Sequence, residues 1–98
     1  MPIPSNIIVN ADDLGTNPLI NKAILLCFEK EYINSTSLLA NTVHFEETIQ
    51  LIQRNNCIRN IGVHINLAEG KPLTDFSVNH FLDESGNWRL AKTNRIPF

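Results

Sequence analysis

The stretch Ile7-Ile8-Val9-Asn10-Ala11-Asp12-Asp13-Leu14-Gly15 decides how the rest of the chain is read. Its three consecutive β-branched residues predict a short buried strand, and Gly15 punctuates the end of it. Two carboxylates, Asp12 and Asp13, then fall at the C-terminal edge of that strand. In parallel sheets this is the edge that binds ligands and carries chemistry. Inside a regular strand the two would point to opposite faces. Past the strand end the backbone is free to turn both toward one pocket. Asp is also a preferred helix cap, and a single Asp here is better read that way. For the pair, capping and a functional role stand level, because adjacent like charges are costly without a cation.

Outward from this stretch, helix and strand signals alternate. Thr16-Asn17-Pro18 supplies a cap followed by proline at the first helical turn. Ile20, Ala23, Ile24, Cys27 and Phe28 recur at the spacing of a helix packed on a sheet, with Glu29, Lys30 and Glu31 on the solvated side. Asn34 marks a turn, and Ser35-Thr36-Ser37-Leu38-Leu39 reads as the second strand. Phe45, Ile49, Leu51 and Ile52 mark a second helix ending near Asn55-Asn56. The third strand, Asn60-Ile61-Gly62-Val63-His64-Ile65, lies within Ile58 to Leu67, with pairing expected to stop near His64. The strands begin about 25–30 residues apart, the size of a βα unit. The fold class read from the pattern is therefore α/β, a βαβαβ parallel sheet.

Beyond Leu67 regularity fails. Ala68-Glu69-Gly70-Lys71-Pro72-Leu73 is turn-rich, and Asp83-Glu84-Ser85-Gly86-Asn87 is a second turn signal that Phe81-Leu82 and Trp88-Arg89-Leu90 could flank as a short hairpin. Arg95-Ile96-Pro97-Phe98 gives neither helix nor cap. Residues 1–98 are read as one partial domain with an irregular tail over 68–98.

Composition narrows the function classes. With 98 residues, 43% of them hydrophobic, and a net charge of −2, the chain is a small globular domain. Its mildly acidic balance argues against nucleic acid or an anionic membrane surface as partner. No run approaches the roughly 20 apolar residues that span a bilayer. Met1-Pro2-Ile3-Pro4-Ser5 lacks a basic region and an apolar run, so it is not a signal peptide, and the chain reads as cytoplasmic. Cys27 and Cys57 have neither metal nor redox spacing.

His64 is the other residue that can carry chemistry. A lone histidine in an apolar strand is more often a satisfied core residue. At the same sheet edge as two aspartates it becomes a plausible metal ligand, since imidazole and carboxylate together suit Zn²⁺ and similar ions. Two ligands fall short of the usual three. His44 and His80 sit in polar loops and are read as surface histidines.

Three motifs taken together carry a resemblance. Asn10-Ala11-Asp12-Asp13-Leu14-Gly15, then Ser35-Thr36-Ser37-Leu38-Leu39-Ala40-Asn41, then Ile61-Gly62-Val63-His64-Ile65-Asn66-Leu67-Ala68-Glu69-Gly70-Lys71-Pro72-Leu73 resemble the YdjC-like carbohydrate deacetylases, which include the chitooligosaccharide deacetylases. The likeness runs over roughly residues 6–90. Leu14 stands where that family usually has Phe, and Ala68 where it usually has Thr. The resemblance implies the first units of a TIM-like (β/α) barrel and metal-dependent removal of acetyl groups from N-acetylated sugars. It implies Asp13 and His64 as ligands of a divalent ion, Mg²⁺ or Zn²⁺, and Asp12 as catalytic base. The family's remaining ligand lies in a later histidine-rich motif that this sequence lacks, and family chains are more than twice as long. No general acid is evident. Asn66 and Asn41 are candidates to hold sugar hydroxyls, although loop scaffolding is the first reading of both.

Two other classes compete. A receiver module also carries an acidic pair after its first strand, but it needs an aspartate where this chain has His64. A non-catalytic piece, or an oligomeric scaffold keeping part of the metal site, fits the missing histidine motif. A three-stranded parallel sheet cannot close a barrel, so self-association or a missing C-terminal half is expected to cover it.

Overall fold

The computed structural model describes residues 2–74 and 79–89. By its contacts the chain divides into two compact units, residues 1–64 and residues 65–98. The first contains β1 (Asn10–Leu14), α1 (Pro18–Glu29), β2 (Ser35–Leu38), α2 (Phe45–Arg54) and β3 (Ile61–Val63). The strands form one parallel sheet in the order β1-β2-β3, so each helix is the crossover between neighbouring strands. This is the α/β, βαβαβ arrangement expected from the pattern, the build of the first units of a TIM-like (β/α) barrel.

Helix α1 begins as its sequence dictates. The Asn17 side chain caps it by accepting from the Ile20 N–H, and Pro18 occupies the first turn. Ile24 and Phe28 on its inner stripe are buried with Leu14, Ile33 and Ile58. Ala11, Ile20, Leu25, Cys27, Leu38, Leu51, Ile52 and Cys57 pack around that cluster. In α2 the buried position is a threonine, Thr48, rather than one of the predicted apolar residues.

The first strand differs from its prediction. Pairing with β2 starts at Asn10 opposite Ser35, three residues later than the Ile7-Ile8-Val9 run suggests. Those three side chains are exposed, Ile8 to 78%. The cause is Asn34. Its backbone N–H donates to the Val9 carbonyl, its Oδ1 accepts from the Val9 N–H, and its Nδ2 donates to the Ile7 carbonyl. One side chain thus satisfies the backbone groups that a strand partner would otherwise take. Asp12 and Asp13 consequently lie inside β1 and not beyond its end.

β1 can hold them because it is bulged. Ala11 pairs with Thr36 and Leu14 with Leu38, so three steps on β1 match two on β2. Asp13 absorbs the extra residue at φ 73°, in the left-handed region. The bulge returns fully buried Leu14 to the core face, which alternation from Ala11 would otherwise assign to Asp13.

Gly15 completes the turn at φ 101°, where a side chain is strained. A Cβ there would also stand 2.9 Å from the Leu39 carbonyl oxygen.

In the second unit a hairpin forms as expected. Leu82 and Trp88 make an antiparallel bridge, and the Asp83 side chain accepts from the Ser85 and Asn87 N–H groups in the turn. Leu90, assigned to the same hairpin, and residues 95–98 lie outside the described residues.

Gly15→Ala is expected to lower stability by about 1–3 kcal/mol, the usual cost of a forced left-handed residue. The carbonyl contact adds to that. Urea unfolding of both proteins measures it; an unchanged midpoint would mean that the turn can relax.

Candidate active site

The polar residues of the sheet share one face. Asn10 and Asp12 alternate along β1, and Ser35 and Ser37 along β2, while Ala11, Thr36 and Leu38 point the other way, toward α1. Ser37 is paired with Gly62, so His64, two residues further on, falls on the same face. Its backbone N–H still donates to the Leu38 carbonyl, at 3.0 Å, which fixes His64 at the strand end where pairing was expected to stop.

Asp12 is held by its neighbours. Asn10 Nδ2 and Ser37 Oγ both donate to Asp12 Oδ1, at 2.9 and 3.1 Å. Ser35 Oγ in turn donates to Asn10 Oδ1, at 2.8 Å. Oδ2 of Asp12 accepts no hydrogen bond among the described residues. The carboxylate is therefore oriented through one oxygen and free at the other, the disposition a proton acceptor needs. Asn10, Ser35 and Ser37 were missed as site residues, although their alternation, Asn10-x-Asp12 and Ser35-x-Ser37, is visible in the sequence.

Asp13 and His64 are brought together. Asp13 Oδ1 lies 3.3 Å from His64 Nδ1, and the two residues come from different strands. That nitrogen is buried and has no hydrogen-bond partner. A buried polar atom without one is costly and calls for an explanation. A cation shared with the carboxylate would supply it: bonds of about 2.0–2.1 Å at tetrahedral angles put neighbouring ligand atoms about 3.3–3.4 Å apart. Oxygen and imidazole donors at this spacing fit Zn²⁺, and the carboxylate suits Mg²⁺ as well. Among the described residues no group of three or more His, Cys, Asp and Glu gathers to hold a metal, so this pair supplies two ligands only.

The remaining candidates have partners of their own. His44 stands at the N-cap position of α2 and pairs with Glu47 one turn on. His80 stacks edge-on against Phe81 in the short 3₁₀ turn Asn79–Phe81. Asn66 Oδ1 accepts from the Ala68 and Glu69 N–H groups and its Nδ2 donates to the Glu69 carbonyl, which is loop scaffolding.

The chain has known relatives. The chain matches the family model described as YdjC-like protein over residues 6–96. It belongs to the YdjC-like family. It is 34% identical over 84 residues to a carbohydrate deacetylase of Thermoanaerobacter pseudethanolicus, covering 85% of this chain and 33% of that protein. Against a carbohydrate deacetylase of Listeria welshimeri the identity is 35% over 87 residues, covering 89% of this chain and 35% of the relative. Among solved structures it is similar to an Enterococcus faecalis protein described for cellobiose-phosphate cleavage, with a TM-score of 0.75 and 28% identity. That match covers 83% of this chain and 32% of the other. The chain thus spans about a third of the length of the relatives it matches. No helix among the described residues is long and apolar enough to cross a membrane.

The strained backbone at Asp13 separates stability from binding. Asp13→Gly removes the carboxylate while placing glycine where it is favoured, so the unfolding midpoint is expected to hold or rise, by up to about 1 kcal/mol. Zn²⁺ should no longer shift the His64 ring protons in NMR spectra. A clear loss of stability would show that the carboxylate, and not the turn, is what the fold needs.

Proposed function

We propose that this chain carries the first part of the active site of a metal-dependent hydrolase that removes acetyl groups from N-acetylated sugars or oligosaccharides. The observation that carries the reading is the approach of Asp13 Oδ1 to an otherwise unpartnered, buried His64 Nδ1, beside an oriented Asp12. Asp13 and His64 are the residues that would hold the divalent cation. When bound, such an ion supplies Lewis-acid activation of water and of an acetyl carbonyl.

The chain's own residues do the rest. Asn10 and Ser37 hold Asp12 through Oδ1, which leaves Oδ2 to take a proton from the attacking water as general base. The polar row formed by Asn10, Ser35 and Ser37 offers hydroxyl and amide groups where a sugar could lie. The family's remaining ligand and a general acid are to be supplied by residues outside those described.

A second reading is favoured by the two-ligand count and by the edge of the sheet. β3 is exposed along its length, with Val63 at 83%, and among the described residues pairs only with β2. A module that keeps part of the site and associates with another copy would leave such an edge and lack turnover. Release of acetate from N-acetylated oligosaccharides, with and without added Zn²⁺ or Mg²⁺, separates the two. Metal-dependent release supports the enzyme; none, together with a dimer in sedimentation equilibrium, supports the scaffold.

The site itself is tested by calorimetry. The protein should bind Zn²⁺ more weakly than a complete three-ligand site does, and His64→Ala should weaken binding at least about tenfold. Equal affinity in both proteins would remove His64 from the ligand set.

A further inference from the structure

We infer that Asn21 is a positioning residue for Asp13, acting through the backbone of Gly15 and anchored by Thr48. The inference rests on the reading of Asp13 and His64 as cation ligands. Asn21 lies on the buried face of α1, 4% exposed, where a residue that merely covers the sheet would be apolar like Ile24. Its amide is instead fully engaged. Oδ1 accepts from the Gly15 N–H at 2.7 Å, and Nδ2 donates to Thr48 Oγ1 at 2.9 Å.

The direction of these bonds is determined. Thr48, fully buried, has one hydroxyl proton and donates it to the His44 carbonyl at 2.6 Å. Its oxygen can then only accept, so the Asn21 amide must present Nδ2 to Thr48 and Oδ1 to Gly15. The flipped amide would set two donors face to face at Gly15. One arrangement therefore satisfies the network, which is what a positioning device requires.

Gly15 is clamped from its other side as well. Thr42 Oγ1 donates to the Gly15 carbonyl at 2.6 Å. One residue upstream of Gly15, Leu14 is fully buried, and before it the Asp13 carbonyl accepts from both the Thr16 N–H and the Thr16 hydroxyl. Asp13 thus enters a segment with no slack, and its left-handed backbone cannot relax without breaking a buried bond. A strained conformation persists only where its surroundings over-determine it. Here they do so two residues from the buried amide, and the carboxylate so held is the one that meets His64.

The test separates positioning from packing. Asn21→Leu, Thr48→Val, Thr48→Ser and the core control Ile24→Val are each titrated with Zn²⁺ alone, read at the His64 ring protons by NMR. Hydrogen exchange at the Gly15 amide and the unfolding midpoint are measured on the same samples. Asn21→Leu and Thr48→Val should weaken Zn²⁺ binding about tenfold or more and speed Gly15 exchange, while Thr48→Ser stays near wild type. Ile24→Val should lower the midpoint and leave the affinity alone. Should Asn21→Leu fail to fold, Thr48→Val carries the test, since it keeps the Asn21 amide and removes the hydroxyl that orients it. Unchanged affinity in the folded variants beside a responsive wild type overturns the inference alone. Wild-type His64 signals that ignore Zn²⁺ overturn the ligand reading, and the inference with it.

Discussion

Two consecutive carboxylates can leave the same side of a strand only if the strand breaks its alternation between them. That constraint governs the first unit of this protein. β1 meets it with a bulge at Asp13, whose backbone turns left-handed at φ 73°. The bulge requires a turn directly after it, and Gly15 provides one where the Leu39 carbonyl leaves no room for a side chain. The turn in turn has an N–H and a carbonyl that face inward, and Asn21 and Thr42 take them. Much of the polar content of the interior follows from the placement of one aspartate.

The same constraint divides the sheet. On one face Ala11, Leu14, Thr36 and Leu38 meet α1 and the apolar cluster around Phe28. On the other, Asn10, Asp12, Ser35 and Ser37 hydrogen-bond among themselves, and His64 joins their face through the pairing of Ser37 with Gly62. Parallel strands are usually buried on both faces and apolar on both. The polar face is tolerable because it is open and its members satisfy one another, and it keeps the two aspartates in a polar setting where their charge costs less.

How much of this was legible in the sequence depends on the range of the interaction. Helix α1 was readable from Asn17-Pro18 and the Ile20–Phe28 stripe because capping and periodicity are local. The pairing of Asp13 with His64 was readable as a shared sheet edge, given a parallel order. The start of β1 was not. Three β-branched residues outweighed, in propensity, an asparagine 25 residues away whose side chain replaces their ladder. Asn21 was hidden for a related reason. On α1 it sits among apolar residues and looks like a solvated interruption, and only the bulge that it serves shows why an amide is buried there. The pairs Asn10-x-Asp12 and Ser35-x-Ser37 were open to view, but a strand read from Ile7-Ile8-Val9 put Asp12 at its end and not inside it, where alternation applies.

The open side of the site follows from the same geometry. Asp13 reaches across β2 to His64, which directly follows the edge strand β3, so the pair spans the full width of the sheet. Neither edge strand has a second neighbour among the described residues, and Val63 and Ile65 stay exposed beside His64. Unpaired backbone and uncovered apolar side chains at a sheet edge invite another segment to add there. On the proposed reading, a cation held by Asp13 and His64 would take a third donor. On the proposed reading both requirements meet beside His64, and a segment added to β3 would cover Val63 while offering that donor. Completing the sheet and completing the proposed site would then be a single event.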